Sequence, residues 1–205
     1  MLARSAPPAL DAALLRRELR KTYARMALFP KRRYHLNTGR GLAELRGYAG
    51  EQLAWAPAPS VDAFSGAGRP LGVLRLAPGD AVLDVGCGSG LDLLLAARAV
   101  GPGGRAAGID LTPEMVQVAR SSTRKAGLKH ATVETGLAER LPYPDGAFDA
   151  VLANNLINNC AVDKLAVLAE VRRVLKPGGA LAVADVVVER PIPDDGRAEI
   201  GLWTC

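Results

Sequence analysis

Aromatic residues are scarce in this 205-residue sequence, at 4% of the total. Nucleic-acid modules that stack bases on aromatic side chains are therefore poorly supported. Glycine and proline are numerous, at 22 and 14 residues, but they follow no fixed period, which excludes a collagen-like chain. Because 49% of the residues are apolar, the sequence predicts a globular protein with one packed core.

Cysteine is also rare, with single residues at Cys87, Cys160 and Cys205. Their odd number and wide separation argue against a disulfide framework and against paired zinc ligands. No apolar run is long enough to span a bilayer, and charges interrupt the N-terminal apolar residues too early for a signal peptide. We therefore expect a cytoplasmic protein with reduced thiols and no membrane partner.

Positive charge is concentrated at the N-terminus. Residues 1–46 carry 11 Lys and Arg against 3 Asp and Glu, whereas residues 47–205 carry 15 against 18. Such an arm would suit nucleic acid or another acidic surface. An amphipathic helix over 10–28 with a solvated basic face explains it more simply, so we do not expect a nucleic-acid partner.

Short apolar segments alternate with helical patterns from Leu76 onward, which is typical of an α/β domain. We expect a helical extension with a linker over 1–70, including a helix at about 40–55, and the main domain over 71–205. The predicted strands are 81–85, 105–110, 131–135, 148–153 and 180–188. The predicted helices between them are 90–100, 113–126, a poorly defined segment near 137–141, and 163–175. Thr112 is expected to cap the second of these helices, and Pro113 to open it.

The segment VLDVGCGSGLD joins the first strand to its helix, and Gly86, Gly88 and Gly90 allow its backbone to turn tightly and approach a ligand. A dinucleotide-binding loop would carry its third glycine where this chain has Leu91. Asp84 precedes the loop, and a carboxylate there would repel a pyrophosphate but attract a cationic ligand with an amino group and a sulfonium. S-adenosylmethionine is such a ligand.

Two further features continue this pattern. Asp110 ends the second strand, 20 residues after Gly90 and directly before Leu111, where its carboxylate is able to accept both hydroxyls of a ribose. A helix-capping role for Asp110 is the alternative. Ala138 and Glu139 follow the third strand, within reach of an adenine ring. The order and spacing of these features favour a cofactor site for S-adenosylmethionine.

Asparagines follow the fourth strand, beside the expected methyl-transfer position. Asn154 and Asn158 are candidates to orient the donor or its substrate, although asparagine is also a common turn former at strand ends. We include Asn154 among the predicted cofactor-binding residues.

Four segments, LDVGCGSG, GIDLTPEM, LAERLPYPDGAFD and RVLKPGG, together resemble the class I S-adenosylmethionine-dependent methyltransferases. The resemblance covers about residues 71–190. It implies a doubly wound, Rossmann-like, largely parallel sheet, with the methyl donor over the carboxyl ends of the first two strands. It also implies direct displacement at the methyl carbon, for which no metal is needed.

A narrower resemblance lies in NTGRGLAELRGY, ANNLINNCAVDKLAVLAEVRRVLKPGG and GLWTC, which are similar to the arsenite methyltransferase family. Members bind trivalent arsenic through cysteine thiolates, because a soft centre prefers sulfur. This resemblance implies that Cys160 and Cys205 hold the substrate and are the catalytic thiolates. Many members carry a cysteine at the position of Asn155, five residues before Cys160. Packing within the glycine loop is sufficient to explain Cys87.

Three other functions stay open at this point. The chain would also suit methylation of a small organic acceptor such as a quinone precursor, or a role on RNA or DNA suggested by the basic arm. The segment NNLINN lacks the Asp/Asn-Pro-Pro-aromatic pattern of base N-methyltransferases. A non-catalytic donor-binding module is the third alternative.

The family resemblance implies about seven strands, whereas the sequence supplies five. We therefore expect a sheet truncated after its fifth strand, either because the chain is a fragment or because a partner covers the edge. An apolar edge strand invites pairing with other chains, so self-association through the fifth strand is expected.

Overall fold

Five parallel strands form the centre of the fold in the computed structural model, which describes residues 11–35, 37–159 and 164–187. The strands are β1 (Ala81–Val85), β2 (Arg105–Asp110), β3 (Ala131–Thr135), β4 (Phe148–Asn154) and β5 (Leu175–Ala184). Their spatial order is β3-β2-β1-β4-β5. Successive strands are added on one side of β1 up to β3 and on its other side from β4 onward. The topological switch point therefore lies between β1 and β4, which is where open α/β sheets bind ligands.

Seven helices accompany the sheet in the described residues: α1 (Ala12–Leu28), α2 (Gly39–Leu45), α3 (Gly50–Trp55), α4 (Ala58–Asp62), α5 (Leu91–Val100), α6 (Pro113–Lys125) and α7 (Lys164–Val174). A single 3₁₀ turn at Pro70–Gly72 leads into β1. The doubly wound fold and the N-terminal helix expected from the sequence are confirmed. No helix in the described part of the chain is both long and apolar enough to cross a bilayer.

Several predicted elements differ from the structure near turns. The helix expected near 137–141 is wrong, because Leu137 and Arg140 form an antiparallel bridge around a tight turn. Pro142 follows directly, and a residue before proline avoids the helical conformation. The helix expected at 40–55 is divided into α2 and α3 at Gly47, whose φ is +86°.

The fifth strand begins five residues earlier than predicted. Leu175 pairs with Phe148 and Ala180 pairs with Ala150, so a bulge that contains Pro177 separates two paired regions of the same strand. The strand ends at Ala184 rather than at 188, which lies outside the described residues. The segment 177–179, Pro-Gly-Gly, lies between these two regions, and pairing with β4 continues on both sides of it.

The cap of α6 also differs from the prediction. Pro113 is the first helical residue, as expected, but the Thr112 side chain makes no capping hydrogen bond. The Asp110 carboxylate instead accepts a hydrogen bond from the Thr112 backbone N–H at 2.8 Å. Asp110 therefore fixes the residue before α6, but it does not accept a hydrogen bond from the first turn of the helix.

The N-terminal helices pack onto the same half of the sheet. Met26 of α1 lies in a buried cluster with Ala63 and Met115, and Leu53 and Leu91 belong to a second cluster that joins α2–α4 to α5. These contacts place α1 across the carboxyl ends of the strands, where it contributes to the candidate site.

A charged clamp fixes the segment after β3 to α7. Arg173 pairs with Glu170 at 2.7 Å and donates to the backbone carbonyls of Leu141 and Tyr143. Glu170 in turn accepts the Leu141 N–H at 2.8 Å. The hydrogen bond from Arg173 holds the pKa of Glu170 below its usual value.

We predict that Glu170→Gln lowers the free energy of unfolding by about 1 kcal/mol near neutral pH, because it removes the charge from this clamp. A carboxyl with a lowered pKa stabilises the fold above its ordinary pKa and loses this contribution as the pH falls through its lowered value. The difference from the wild type should thus be constant above about pH 5 and shrink below it. Urea unfolding across pH measures this, with exposed Glu134→Gln as the control; a pH-independent difference would contradict it.

The outer edge of β5 is unpaired in the part of the chain that the structure describes, and Leu181 and Val183 are exposed there. Self-association through this strand stays a prediction. We expect the 205-residue chain to show concentration-dependent sedimentation, and Val183→Lys to reduce it, because an edge lysine opposes strand pairing. The matched control is Val73→Lys, at an exposed position outside the sheet. A monomer at every concentration would refute the prediction.

Candidate functional site

A cavity opens at the carboxyl ends of the parallel strands. The ends of β2 and β4 contribute Asp110 and Asn154, the loop after β1 contributes Gly86 and Gly88, and α1 covers one side. The sheet topology therefore brings together groups from four separate parts of the chain.

A side chain at each of the three glycines in the loop after β1 would have a different effect. Gly88 has a φ of +50°, and a Cβ added there would meet no atom within 4 Å, so it faces open space beside the cavity. A Cβ on Gly86 would lie 2.8 Å from Leu156, and one on Gly90 would lie 2.9 Å from Ala119. Gly90 does not line the cavity. The cradle for a ligand is therefore at Gly86 and Gly88, while Gly90 allows α6 to approach.

Asp110 holds this loop and lines the cavity. Its Oδ2 accepts the Gly88 N–H at 2.9 Å, while its Oδ1 accepts the N–H of Thr112, the residue before α6. Burial raises the pKa of Asp110, and these two hydrogen bonds partly oppose the rise. A carboxylate oxygen has two lone pairs and is able to accept two hydrogen bonds, so Asp110 has capacity for ribose hydroxyls. These two hydrogen bonds are thus compatible with ligand binding by Asp110.

Asp84 is 1% exposed and does not line the cavity. Its Oδ2 has no hydrogen-bond partner in the described structure. Burial raises the pKa of Asp84, and the charges of Asp92 and Asp110 raise it further. A third buried carboxyl at Asp92 extends this acidic region. Of the three carboxyl groups, Asp110 lines the cavity, where its charge favours a ligand with net positive charge.

The far wall of the cavity contains Leu111, Ala138 and Glu139, all three predicted from sequence. Glu139 forms an ion pair with Arg16 of α1 at 2.8 Å. On the same face of α1, the Tyr23 hydroxyl accepts a hydrogen bond from Asn159 at 3.1 Å. Helix α1 is therefore tied to both sides of the cavity.

Asn154 lines the cavity, but its amide is occupied by protein groups. Its Oδ1 accepts the N–H groups of Ala67 and Gly68 at 2.8 and 3.1 Å, and its Nδ2 donates to Asp92 at 2.8 Å. The next residue, Asn155, has a φ of +58°, the one positive value at a non-glycine residue in the described chain. This conformation directs the chain sharply away from the end of β4.

Other predicted residues lie elsewhere. Asn158 does not line the cavity and bonds to Val186 and Lys164. Cys87 is buried in a core cluster with Leu93, which fits a packing role. Cys160 and Cys205 lie outside the described residues, so their role as thiolates stays a prediction. In the described residues, no group of His, Cys, Asp or Glu is arranged to hold a metal ion.

Sequence analysis missed several polar residues that line the cavity: Arg16, Tyr23, Ser65, Asn155 and Asn159. The spacing of Arg16, Leu19 and Tyr23 places them on one helix face, and this spacing is the signal that would have identified Arg16 and Tyr23. Ser65 precedes Gly66 in an irregular segment, so no periodicity indicates its position.

Comparison with known proteins agrees with this geometry. The model of the family described as a methyltransferase domain matches residues 76–202. An arsenite methyltransferase of Halobacterium salinarum is 39% identical over 153 residues, which are 75% of this chain and 39% of that protein. A demethylmenaquinone methyltransferase of Listeria welshimeri is 38% identical over 113 residues, which are 55% of this chain and 48% of that protein. The chain thus spans less than half the length of these curated relatives.

Two solved structures share the fold. An arsenic(III) S-adenosylmethionine methyltransferase from Chlamydomonas reinhardtii matches with a TM-score of 0.61 and 33% identity, over 81% of this chain and 55% of that chain. A methyltransferase from Aquifex aeolicus that depends on the same cofactor matches with a TM-score of 0.54 and 27% identity, over 80% and 84%. These matches support S-adenosylmethionine as the cofactor.

We predict that Gly88→Val abolishes binding of S-adenosylhomocysteine in calorimetric titration, because the side chain would occupy the cavity without meeting protein atoms. Gly127→Val is the matched control. Gly127 has a φ of +71°, and a Cβ there also meets nothing within 4 Å, but it lies outside the cavity. Both variants should lose similar stability from backbone strain. Unchanged affinity in folded Gly88→Val would remove this loop from the site.

Proposed function

The chain belongs to the methyltransferase-domain family, and on that premise we propose that it methylates trivalent arsenic, with S-adenosylmethionine as the methyl donor. The family and the fold support methyl transfer from S-adenosylmethionine. The identity of the acceptor is the proposal. We further propose that residues 71–205 form the donor-binding domain, that 1–70 form its helical extension, and that the protein acts in the cytoplasm in arsenic detoxification.

The cavity suits the donor in shape and charge. Gly88 leaves room for a ligand against the loop, and Asp110 offers acceptors at the end of β2. When bound, S-adenosylmethionine supplies a methyl group activated by its sulfonium. We propose that Asp84, Gly86, Gly88, Gly90, Asp110, Leu111, Ala138, Glu139 and Asn154 form or support its site. Their role is to position the reactants and to provide a complementary electrostatic environment.

The observation that carries arsenite as the acceptor is the position of Asn159. This residue lines the cavity, and Cys160 follows it directly in the sequence. A thiolate at Cys160, together with Cys205, would bind arsenic through sulfur, the ligand that a soft centre prefers. The similarity to arsenite methyltransferases in sequence and structure supports the same acceptor.

The proposed reaction is a single displacement. The lone pair of trivalent arsenic forms a bond to the methyl carbon, and the carbon–sulfur bond of the sulfonium breaks. The bonding pair goes to sulfur, which leaves as a neutral thioether. Arsenic is oxidised by two electrons in this step. Two molecules of a small-molecule thiol, which are oxidised together to a disulfide with release of two protons, supply the two electrons that restore the trivalent state for another methylation.

A small organic acceptor is the second candidate. Asn155, which lines the cavity, carries an amide where many arsenite methyltransferases carry a cysteine. An amide donates and accepts hydrogen bonds, which suits a hydroxyl or carbonyl of an organic acceptor better than arsenic. The similarity to demethylmenaquinone methyltransferases agrees with this alternative.

We predict that arsenite protects Cys160 and Cys205 together from alkylation, because two thiolates that share one soft centre lose their reactivity as a pair. Mass spectrometry of iodoacetamide-treated protein measures each site. Cys160→Ser should expose Cys205 to the reagent even with arsenite, whereas Cys87→Ser should leave the protection intact.

Activity is then measured as methyl transfer to arsenite with excess glutathione, and in parallel to a substituted hydroquinone. Turnover of the hydroquinone alone would overturn arsenite and favour the organic acceptor. Alkylation that is indifferent to arsenite at either cysteine would also overturn the thiolate assignment.

A further inference from the structure

A buried polar network connects the N-terminal segment to the cavity. Tyr48 donates a hydrogen bond to Oδ1 of Asp92 at 2.6 Å, and Asn154 donates to Oδ2 of the same carboxylate at 2.8 Å. Asp92 is 5% exposed and lies in the first turn of α5, directly after the glycine loop. Asn154 lines the cavity, but both polar atoms of its amide are engaged within the protein, whereas Tyr48 and Asp92 do not line the cavity.

The orientation of the Asn154 amide depends on these partners. Its Oδ1 faces two N–H donors, from Ala67 and Gly68, whereas its Nδ2 faces two acceptors, the Asp92 carboxylate and the Gly68 carbonyl. Rotating the amide by half a turn would set nitrogen against both N–H groups and oxygen against both acceptors. Asp92 therefore helps to select one orientation of the two.

The backbone that Asn154 holds is packed too closely to take another position easily. A Cβ on Gly66 would lie 2.5 Å from Nδ2 of Asn154, and one on Gly68 would lie 2.9 Å from Ala184 of β5. Ser65, at the start of this segment, lines the cavity and accepts a hydrogen bond at its carbonyl from Asn155 at 3.1 Å. Displacing the Asn154 amide would therefore move the cavity wall.

We propose that Asp92 is a positioning residue for methyl transfer: its carboxylate orients the Asn154 amide, which fixes residues 65–68 as a wall of the cavity. Asp92 itself does not line the cavity. The inference needs only methyl transfer from S-adenosylmethionine and does not depend on the acceptor.

Two substitutions at Asp92 separate positioning from simple charge. Asp92→Leu retains bulk but removes both acceptors, which frees the Asn154 amide. Asp92→Asn removes the charge, yet its oxygen is able to accept from Asn154 while its nitrogen donates to the Tyr48 hydroxyl, which already lies 3.2 Å from the Gly68 carbonyl. The positioning role therefore predicts rescue by asparagine, whereas a role as a buried negative charge toward a cationic donor predicts none.

Hydrogen exchange of the Ala67 and Gly68 amides reports directly on the wall, because both N–H groups are bonded to Asn154. Asp92→Leu should speed their exchange by about tenfold or more, and Asp92→Asn by no more than about threefold. In the methyl-transfer assays with arsenite and the hydroquinone, Asp92→Leu should lower kcat about tenfold or more. The affinity for S-adenosylmethionine, which carries the sulfonium charge, should change by less than about threefold in both variants.

Val61→Ala is the control for a general loss of stability. Val61 is buried in the apolar cluster that joins α2–α4 to α5, and its side chain makes no hydrogen bond in the polar network. This substitution should lower Tm without accelerating the two amides selectively. Gly66→Ala is a second, independent variant, because its added Cβ would lie 2.5 Å from Nδ2 of Asn154 and displace the amide; it should reproduce the loss of kcat.

Unchanged exchange of Ala67 and Gly68 in Asp92→Leu would overturn the proposal, as would equal losses of kcat in Asp92→Leu and Val61→Ala at matched Tm. Loss of donor affinity in Asp92→Asn would assign Asp92 to electrostatics instead. If Asp92→Leu does not fold, Gly66→Ala and Asp92→Asn decide the question. The exchange measurement retains its meaning if arsenite is not a substrate, so its failure and that of the proposed function are distinguishable.

Discussion

The loop after β1 is fixed to the end of β2 by backbone hydrogen bonds, and the rest of the site is built around this attachment. The N–H groups of Gly86 and Cys87 both donate to the Ile109 carbonyl, and the Gly88 N–H donates to Asp110. This backbone path requires positive φ at Gly86 and Gly88. It determines where α5 begins, and so where Asp92 lies relative to Asn154.

Charge in this region is arranged for a cation. Asp84, Asp92 and Asp110 are brought together from two strands and a helix, and burial raises the pKa of each. Such a group of carboxyls is costly in an empty interior, because each charge loses its hydration. A donor with net positive charge offsets part of that cost, whereas its product, which lacks the sulfonium charge, offsets less.

The N-terminal helices contribute side chains to the candidate site and to the residues that support it. Arg16 and Tyr23 of α1 bond to Glu139 and Asn159 on two sides of the cavity, and Tyr48 bonds to Asp92 below it. The basic N-terminal segment thus includes Arg16, which lines the cavity and pairs with Glu139 instead of facing a surface partner. Its remaining exposed cations suit an ordinary solvated helix face.

The sequence by itself determined the fold class, the positions of β1–β4 and the glycine loop with its acidic residues, because apolar periodicity and glycine spacing are local properties of the chain. It did not reveal that the Asn154 amide oxygen accepts hydrogen bonds from Ala67 and Gly68, since these residues lie far from Asn154 in sequence. It also did not reveal that Asp92 bonds to both Asn154 and Tyr48. Only the tertiary structure brought them together. Parallel strands end at one edge of the sheet, and packing of the N-terminal helices decides which side chains meet there.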